Sequence, residues 1–353
     1  MNNGFSSIRT AFIAVMLLVH SAKPVASQMV RGIRDSIGFC WTSTEMTRFI
    51  HFLDSVRTDD TTLSSPVAAI SPHDDFLSAG RVYHPLFKTL RTKEVVIFGV
   101  THGSVRREIG DPRNVLLLET NLAWTGPYGP VGCSPLRDLI LTRANTSLMR
   151  IDNRAHALEH SIEALLPFLQ HYNPHIRITP IMVTAMDFDR MDSIAGALSI
   201  IISDYIRRNN LRLGSDIAFL ISSDANHYGN DFGNAPWGED HTAHATAIME
   251  DRRIIQQYID GRLDSGKIRS LSMALQSILW CGRYSVPFGL LTTAKVVRNV
   301  EGGELEGRLI RYSDTFTEGV NSFQRTSLGT TAPFSLKHWV GFFSAGFYPW
   351  LTK

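Results

Sequence analysis

The sequence has few cysteines and no concentrated charge of either sign. Three cysteines among 353 residues cannot build a disulfide scaffold. Lysine and arginine total 35, aspartate and glutamate total 33, and no long basic run occurs, so we predict no nucleic-acid partner. The sequence also lacks the motifs H-E-x-x-H, paired C-x-x-C, G-x-x-x-x-G-K-S/T and G-x-G-x-x-G. Zincin, zinc-ribbon, P-loop and dinucleotide-binding folds are therefore without support.

The N-terminal segment differs in composition from the rest of the chain. A polar stretch precedes nine apolar residues, 11–19, and small residues lead from there to Gln28. Nine residues are too few to span a bilayer, which takes about 20, but the order is typical of a secretory signal peptide. We therefore expect a signal peptide over residues 1–27, a periplasmic or secreted protein, and no membrane span after the leader. The alternative is a cytoplasmic protein that starts at Met29.

From residue 28 onward, apolar runs alternate with amphipathic helical segments, and no linker or repeat interrupts them. Buried strands are predicted at 66–70, 94–100, 176–183 and 216–222, and late, antiparallel ones at 308–312 and 339–347. Helices are predicted at 44–56, 159–171, 192–208, 242–259, 270–278 and 286–297. This alternation predicts an α/β fold with a mostly parallel central sheet flanked by helices on both faces. We expect one such domain over residues 28–353.

Polar side chains follow three of the predicted strands, at the point where each strand ends. They are His73, Asp74 and Asp75 after the first strand, His102 after the second, and Asp224 and His227 after the fourth. Ligands of open α/β sheets bind just beyond the carboxyl ends of the strands, so these residues are expected to converge. A single histidine in such a position is more often a loop residue than a ligand. Three of them with an aspartate indicate a metal ion or a proton-transfer site.

Two further candidate groups lie where predicted helices begin. Glu159 and His160 open one helix, and by spacing alone the favoured interpretation is a carboxylate near the positive helix N-terminus with a solvated histidine. Cys281 and Arg283 precede another helix, where a cysteine has a lowered pKa and presents its thiolate readily. The alternative for Cys281 is an inert buried thiol.

Five short motifs occur in a fixed order along the chain. They begin at Ile70, Gly99, Glu159, Ser222 and Cys281 and are I-S-P-H-D-D-F, G-V-T-H, E-H-S-I-E-A-L-L-P-F-L, S-S-D-A-N-H-Y-G and C-G-R. They resemble the pattern of the Memo family, also called AmmeMemoRadiSam system protein B. Its pattern is I-x-P-H-A-G-Y, G-P-S-H, E-H-S-x-E-x-x-L-P-F-L, S-S-D-x-x-H-x-G and C-G-x-x-P. With weaker similarity towards both ends, the resemblance covers roughly residues 29–350, and five motifs in order are a specific signal.

The resemblance implies a three-layer α/β sandwich similar to that of class III extradiol dioxygenases. It also implies a single metal ion, reported in the family as iron or copper, at His73, His102 and Cys281. Asp224 and His227 would line the same cavity, with His227 in the position of an acid/base histidine. Cys281 stands where the dioxygenases have a carboxylate, and such a donor set suits copper or zinc at least as well as iron.

The expected function is that of a metal-dependent oxidoreductase acting on a small molecule. The residues that would line its pocket are Asp74, Asp75, Glu159, His160 and Arg283, of which Asp74 and Asp75 replace the family's Ala-Gly and add negative charge. One alternative is a non-catalytic module that binds a small ligand, a peptide or copper. Another is one component of a modification system with an AMMECR-type protein and a radical S-adenosylmethionine enzyme. A genuine signal peptide would count against the latter, because radical enzymes work in the reducing cytoplasm.

Overall fold

A ten-stranded mixed sheet forms the centre of the computed structural model, which describes residues 1, 30–56 and 64–350. The strands are β1 Val30–Arg31, β2 Ala68–Ser71, β3 Glu94–Gly99, β4 Leu116–Leu118, β5 Ala123–Trp124, β6 Val131–Gly132, β7 Met149–Ile151, β8 Arg177–Val183, β9 Ile217–Ser222, β10 His227–Tyr228, β11 Gly261–Leu263, β12 Glu304–Asp314 and β13 Trp339–Trp350. The order in the large sheet is β11-β12-β13-β2-β9-β3-β8-β4-β7, with β10 paired to β13, and β1, β5 and β6 form a small separate sheet.

The four central strands, β2, β9, β3 and β8, run parallel to one another, as predicted. Antiparallel pairings follow on both sides, through β13, β12 and β11 on one side and through β4 on the other. The antiparallel arrangement of β12 and β13 was predicted, whereas that of β4 was not. The carboxyl ends of β2, β9 and β3 therefore lie side by side at one edge of the sheet.

Helices cover both faces of the sheet. They are α1 Ser43–Ser55, α2 Phe76–Phe87, α3 Gly103–Glu108, α4 Pro135–Arg143, α5 Asn153–Leu158, α6 Leu166–Tyr172, α7 Phe188–Arg208, α8 His241–Ile254, α9 Ser265–Ala274, α10 Ser285–Glu301 and α11 Thr315–Glu318. Helices α4, α7, α9 and α10 pack on one face, and α1, α2 and α6 pack on the other. The α/β class with helices on both faces is thus confirmed.

Alternate residues of the central strands belong to two different hydrophobic cores. In β3, Val96 and Phe98 contact the α7 and α10 side, while Val95 and Ile97 contact the α1 and α2 side. This follows from the two-residue period of a strand and explains why the strand is a continuous apolar run.

The helix predicted at 159–171 is correct only in its second half, α6, because the chain is not helical at Glu159. Helix α5 ends at Leu158, Glu159 is extended (φ −96°, ψ 134°), and a short 3₁₀ turn, Glu163–Leu165, precedes α6. The Glu159 carboxylate accepts hydrogen bonds from the backbone N–H groups of His160 and Ser161, which competes with helix propagation. The sequence pattern carried no information on this competition.

Another predicted helix, 270–278, was misplaced. Helix α9 begins five residues earlier, because the Asp264 side chain caps it by accepting from the N–H of Lys267.

The predicted signal peptide lies, apart from Met1, outside the described residues. Among the helices of residues 30–56 and 64–350, none combines the length and apolar composition that crossing a bilayer requires.

Candidate metal centre

Three adjacent strand ends and one loop bring the candidate ligands together. Residues Ser71 of β2 and Ser222 of β9 are paired, so His73 and Asp224 follow at the same level of the sheet. His102 follows β3, on the other side of β9. The segment around Cys281 is held against the β9 loop by a bridge between Asn226 and Trp280 and by a 3.0 Å hydrogen bond from the N–H of His227 to the carbonyl of Leu279.

The ligand atoms of His73, His102 and Cys281 all lie within 4.8 Å of one another. The two Nε2 atoms are 3.3 Å apart, and the Cys281 Sγ is 3.5 Å from the Nε2 of His73. Bonds of about 2.05 Å to nitrogen and 2.3 Å to sulfur at a tetrahedral angle place two nitrogens about 3.3 Å apart and nitrogen about 3.6 Å from sulfur. The three side chains therefore have the spacing of ligands to one metal ion.

Hydrogen bonds fix both histidines in the tautomer that a metal needs. The Ser222 hydroxyl donates to the carbonyl of Ser161 at 2.6 Å, so it accepts the 2.8 Å bond from the Nδ1–H of His73. The Nδ1–H of His102 donates to the Glu159 carboxylate at 2.8 Å. Both Nε2 atoms consequently keep their lone pairs for the shared point between them, which is the usual arrangement around metal-binding histidines.

The electrostatic surroundings shift the pKa values of His73 and His102 in opposite directions. Burial, followed by the proximity of His102, lowers the pKa of His73 well below its ordinary value. Burial also acts to lower the pKa of His102, but the Glu159 carboxylate outweighs it and the net shift is upward. For Glu159, burial acts upward, and the contact with His102 outweighs it and lowers the pKa. The Glu159 carboxylate is thus the charged acceptor of the Nδ1–H of His102, whereas burial favours the neutral form of His73.

Cys281 does not have the lowered pKa that its sequence position suggested. Helix α10 begins at Ser285, four residues later, so the thiol is not at the helix N-terminus. Burial and the Asp224 carboxylate raise the pKa of the thiol well above its usual value. The N–H of Asp224 donates to Sγ at 3.0 Å, which supports negative charge on the sulfur when a cation neutralises it.

A second group, His102, Glu159 and His160, also has metal-ligand spacing. The His160 ring stacks on the His102 ring at 4.8 Å, and burial, with His102 next, lowers the pKa of His160 to about 4. Glu159, however, already accepts four N–H bonds: two from His102, one from His160 and one from Ser161. Its oxygens are occupied, so Glu159 supports His102 rather than offering a ligand atom. The interpretation of Glu159 as a carboxylate near a helix N-terminus is wrong, since the residue follows the last residue of α5 and is 1% exposed.

Three aspartates lie close to the three ligands. Asp224 accepts from the N–H of His73 at 2.9 Å, its Oδ2 is 3.2 Å from the Nε2 of His73, and burial raises its pKa to about 7. Burial and the neighbouring Asp224 raise the pKa of Asp74 well above its ordinary range, and the Asp74 Oδ2 is buried without a hydrogen-bond partner. Asp75 accepts from the N–H and hydroxyl of Thr331, at 2.6 and 3.1 Å. Burial raises the pKa of Asp75 to about 6, and its carboxylate is used to hold a loop.

Two cavities adjoin the centre and share the side chains of His102, His160 and His227. The acidic cavity, about 360 Å³, is lined on its other side by Asp35, Asp74, Asp75 and Asp224. The arginine cavity, about 620 Å³, is lined by Arg106, Arg107, Arg283 and Cys281. The ring of His227 donates from Nδ1 to the carbonyl of Ala225 at 3.3 Å, which leaves Nε2 as its acceptor. Burial lowers the pKa of His227 to about 4, so the ring is neutral at pH 7.

Asp251, which was not predicted from the sequence, positions two parts of the site. Its carboxylate accepts from the indole N–H of Trp280 at 2.7 Å, the hydroxyl of Tyr312 at 2.8 Å and the N–H of Asn226 at 3.3 Å. Trp280 directly precedes Cys281 in the chain, and Asn226 directly precedes His227. An aspartate on the apolar face of a helix, between Ala247 and Ile254, is the signal that identifies it.

Comparison with known proteins places the chain in a family. A sequence model described as Memo-like protein matches residues 41–325. A MEMO1 family protein of Pyrococcus furiosus is 25% identical over 261 residues, covering 70% of this chain and 80% of the relative. One from Aquifex aeolicus is 30% identical over 166 residues, covering 46% and 55%. One from Sulfolobus acidocaldarius is 29% identical over 164 residues, covering 45% and 52%. The family match extends over the strand ends and the loop that carry the candidate ligands, and the chain belongs to the Memo-like protein family.

Proposed function

We propose that His73, His102 and Cys281 hold a single copper or iron ion, with zinc also compatible with these donors, and that the protein uses it to oxidise a small organic molecule. The observation that carries the proposal is the agreement between the donor separations, 3.3 and 3.5 Å, and those of ligands to one metal. Two imidazole nitrogens and a thiolate are donors that suit copper, zinc and iron. A redox-active ion bound there supplies electron transfer and a Lewis-acid position.

Other residues of the chain orient the ligands and accept a proton. Ser222 and Glu159 orient the two imidazoles by accepting their Nδ1–H bonds. Asp224 lies beside His73 and donates its N–H to Cys281, so it fixes the relation between two of the ligands. His227, neutral and lining both cavities, is the base that accepts a proton from a bound molecule.

The donor set argues for oxidation other than the ring cleavage of the extradiol dioxygenases. Those enzymes use two histidines and a carboxylate, a set that suits iron, whereas Cys281 occupies the third position here. A thiolate lowers the net charge of the site as a carboxylate does, but it is a softer donor that favours copper more strongly.

Metal content measured by mass spectrometry on anaerobically purified protein tests the proposal. Wild-type protein is expected to hold close to one equivalent of copper or iron, and Cys281→Ala to lose most of it. Cys133→Ala is the matched control, because Cys133 is half-buried and its sulfur contacts Glu119 and the carbonyl of Asn121. Metal that stays bound in Cys281→Ala, or a wild type that takes up none after reconstitution, would contradict the ligand set.

Turnover is tested by substrate screening under oxygen with the metal-loaded protein. His227→Gln is expected to lose activity while retaining metal, since His227 is placed as a base and not as a ligand. Saturable binding of candidate molecules with no product from any of them would instead support a non-catalytic binding protein.

A further inference from the structure

Three arginines line the arginine cavity, which adjoins the candidate metal centre. Arg106 and Arg107 both turn back towards His102: each places a guanidinium nitrogen 3.7 Å from the point where a Cβ on Gly103 would lie. Arg283 lines the same cavity, two residues after Cys281. Three guanidinium groups therefore surround a cavity that opens onto two of the three candidate ligands.

Two of these three guanidinium groups have no ion-pair partner. Within residues 30–56 and 64–350, neither Arg107 nor Arg283 forms an ion pair, whereas Arg106 pairs with Asp111 at 3.8 Å. The single acidic residue of the lining, Asp231, lies 3.2 Å from the Nδ1 of His338. A concave site lined by one sign of charge attracts and concentrates ligands of the opposite sign.

Part of the remaining lining is apolar. Val183, Ala185 and Leu279 contribute aliphatic surface, and Phe232 and Tyr284 contribute aromatic rings. A volume of about 620 Å³ is in the range of cavities that enclose a small organic molecule. The cavity thus offers an apolar compartment and a group of guanidinium donors next to Cys281.

We propose that the arginine cavity binds a small organic carboxylate, with its apolar body against Phe232 and Tyr284 and its carboxylate on Arg107 and Arg283. A carboxylate is the planar acceptor that the guanidinium fork binds through two parallel N–H bonds. This inference rests on the proposed function, because it names the class of molecule presented to that centre, but carboxylate binding itself needs no metal.

Calorimetric titration of the full chain with benzoate, 3-phenylpropionate and 4-hydroxyphenylacetate tests the inference. The wild type is expected to bind at least one of the three at least tenfold more tightly than its neutral amide, and more weakly at high salt. The double variant Arg107→Gln/Arg283→Gln is expected to lose at least tenfold in affinity. Arg298→Gln is the matched control, because Arg298 is exposed on α10 and lines neither cavity. Should the double variant not fold, Arg107→Gln alone, an exposed side chain without an ion pair, still tests the point.

Three results would overturn the inference: equal affinity for acids and amides, unchanged affinity in the arginine variants, or inorganic phosphate displacing benzoate at equal concentration. Cys281→Ala separates this inference from the proposed function. It is expected to lose metal and to keep carboxylate affinity within about twofold. A wild type that takes up no metal after reconstitution but binds benzoate would refute the proposed function alone. A metal-loaded wild type that binds none of the three carboxylates would refute this inference alone.

Discussion

Glu159 is the residue whose replacement tests the metal centre most directly without touching a proposed ligand. It accepts four N–H bonds with its two oxygens, and it is the acceptor that fixes the tautomer of His102. In Glu159→Gln one oxygen becomes an NH₂ group, so at least one of the four donors faces another donor. An unsatisfied buried donor costs about 1–3 kcal/mol, and loss of the partner that orients a metal-binding histidine typically lowers metal affinity about 10- to 100-fold.

We therefore expect Glu159→Gln to reduce the free energy of unfolding by about 2 kcal/mol in urea and to weaken metal binding about 10- to 100-fold in competition with a chelator. In metal-free protein the pKa of His102, followed by NMR, should fall, because burial then acts without the opposing carboxylate. Both effects follow from the same hydrogen bond.

The matched control is Glu163→Gln. Glu163 is equally buried, but its carboxylate pairs with Arg31 and accepts from the N–H groups of Arg34 and Asp35. It should lose stability and keep metal affinity. If Glu159→Gln binds metal as tightly as the wild type, or if both variants weaken metal binding equally, the argument that Glu159 orients His102 is wrong.

The remaining predictions concern Asp251, Gly282 and the N-terminus. Burial raises the pKa of Asp251 to about 7, so the native state holds a proton that the unfolded chain releases near pH 4. The free energy of unfolding should therefore fall through this group as the pH rises from about 4 to 7. Asp251→Asn should remove that part of the pH dependence. A Cβ on Gly282 would lie 2.1 Å from the Ser223 hydroxyl oxygen, so Gly282→Ala should lower stability by about 1–3 kcal/mol and displace the adjacent thiol, seen as lost metal. N-terminal sequencing of the mature protein should give Gln28 if the leader is cleaved, and Met29 if translation starts there.

Each of these has a result that would contradict it. An unchanged pH slope in Asp251→Asn would mean that the carboxyl group is ionised in the native state. Gly132→Ala is the control for Gly282, since a Cβ there meets nothing within 4 Å, and equal stability losses in both variants would contradict the steric argument. A mature chain that retains residues 1–27 would contradict both N-terminal alternatives.

The positions of His73, His102 and Asp224 follow from a rule that depends on strand order alone. Residues after adjacent parallel strands share one edge of the sheet, so the sequence pattern was sufficient to predict their convergence. Cys281 is different, because a bridge between Asn226 and Trp280 brings it to the site across a long stretch of chain. No local pattern encodes that pairing, and only the family resemblance indicated it.

The surroundings of Glu159 were predicted wrongly for a related reason. The pattern of charges at 159–163 is that of a helix start, and local propensity supports that interpretation. The structure instead uses the carboxylate to satisfy N–H groups of His102, which comes from another strand end, and of the two residues that follow it. Burial of the Glu159 carboxylate by partners distant in sequence cannot be inferred from spacing, whereas the spacing of Asp251 on the apolar face of α8 does indicate its burial.

The acidic and arginine cavities both reach His102, His160 and His227, which affects how ligands gain access to the centre. A ligand that fills the arginine cavity leaves the acidic cavity open as a separate entrance. Water and protons can then reach Asp224 and His227 without passing an organic molecule on the other side. Two cavities that reach the same three histidines give two reactants separate routes to the centre, so neither has to leave before the other enters.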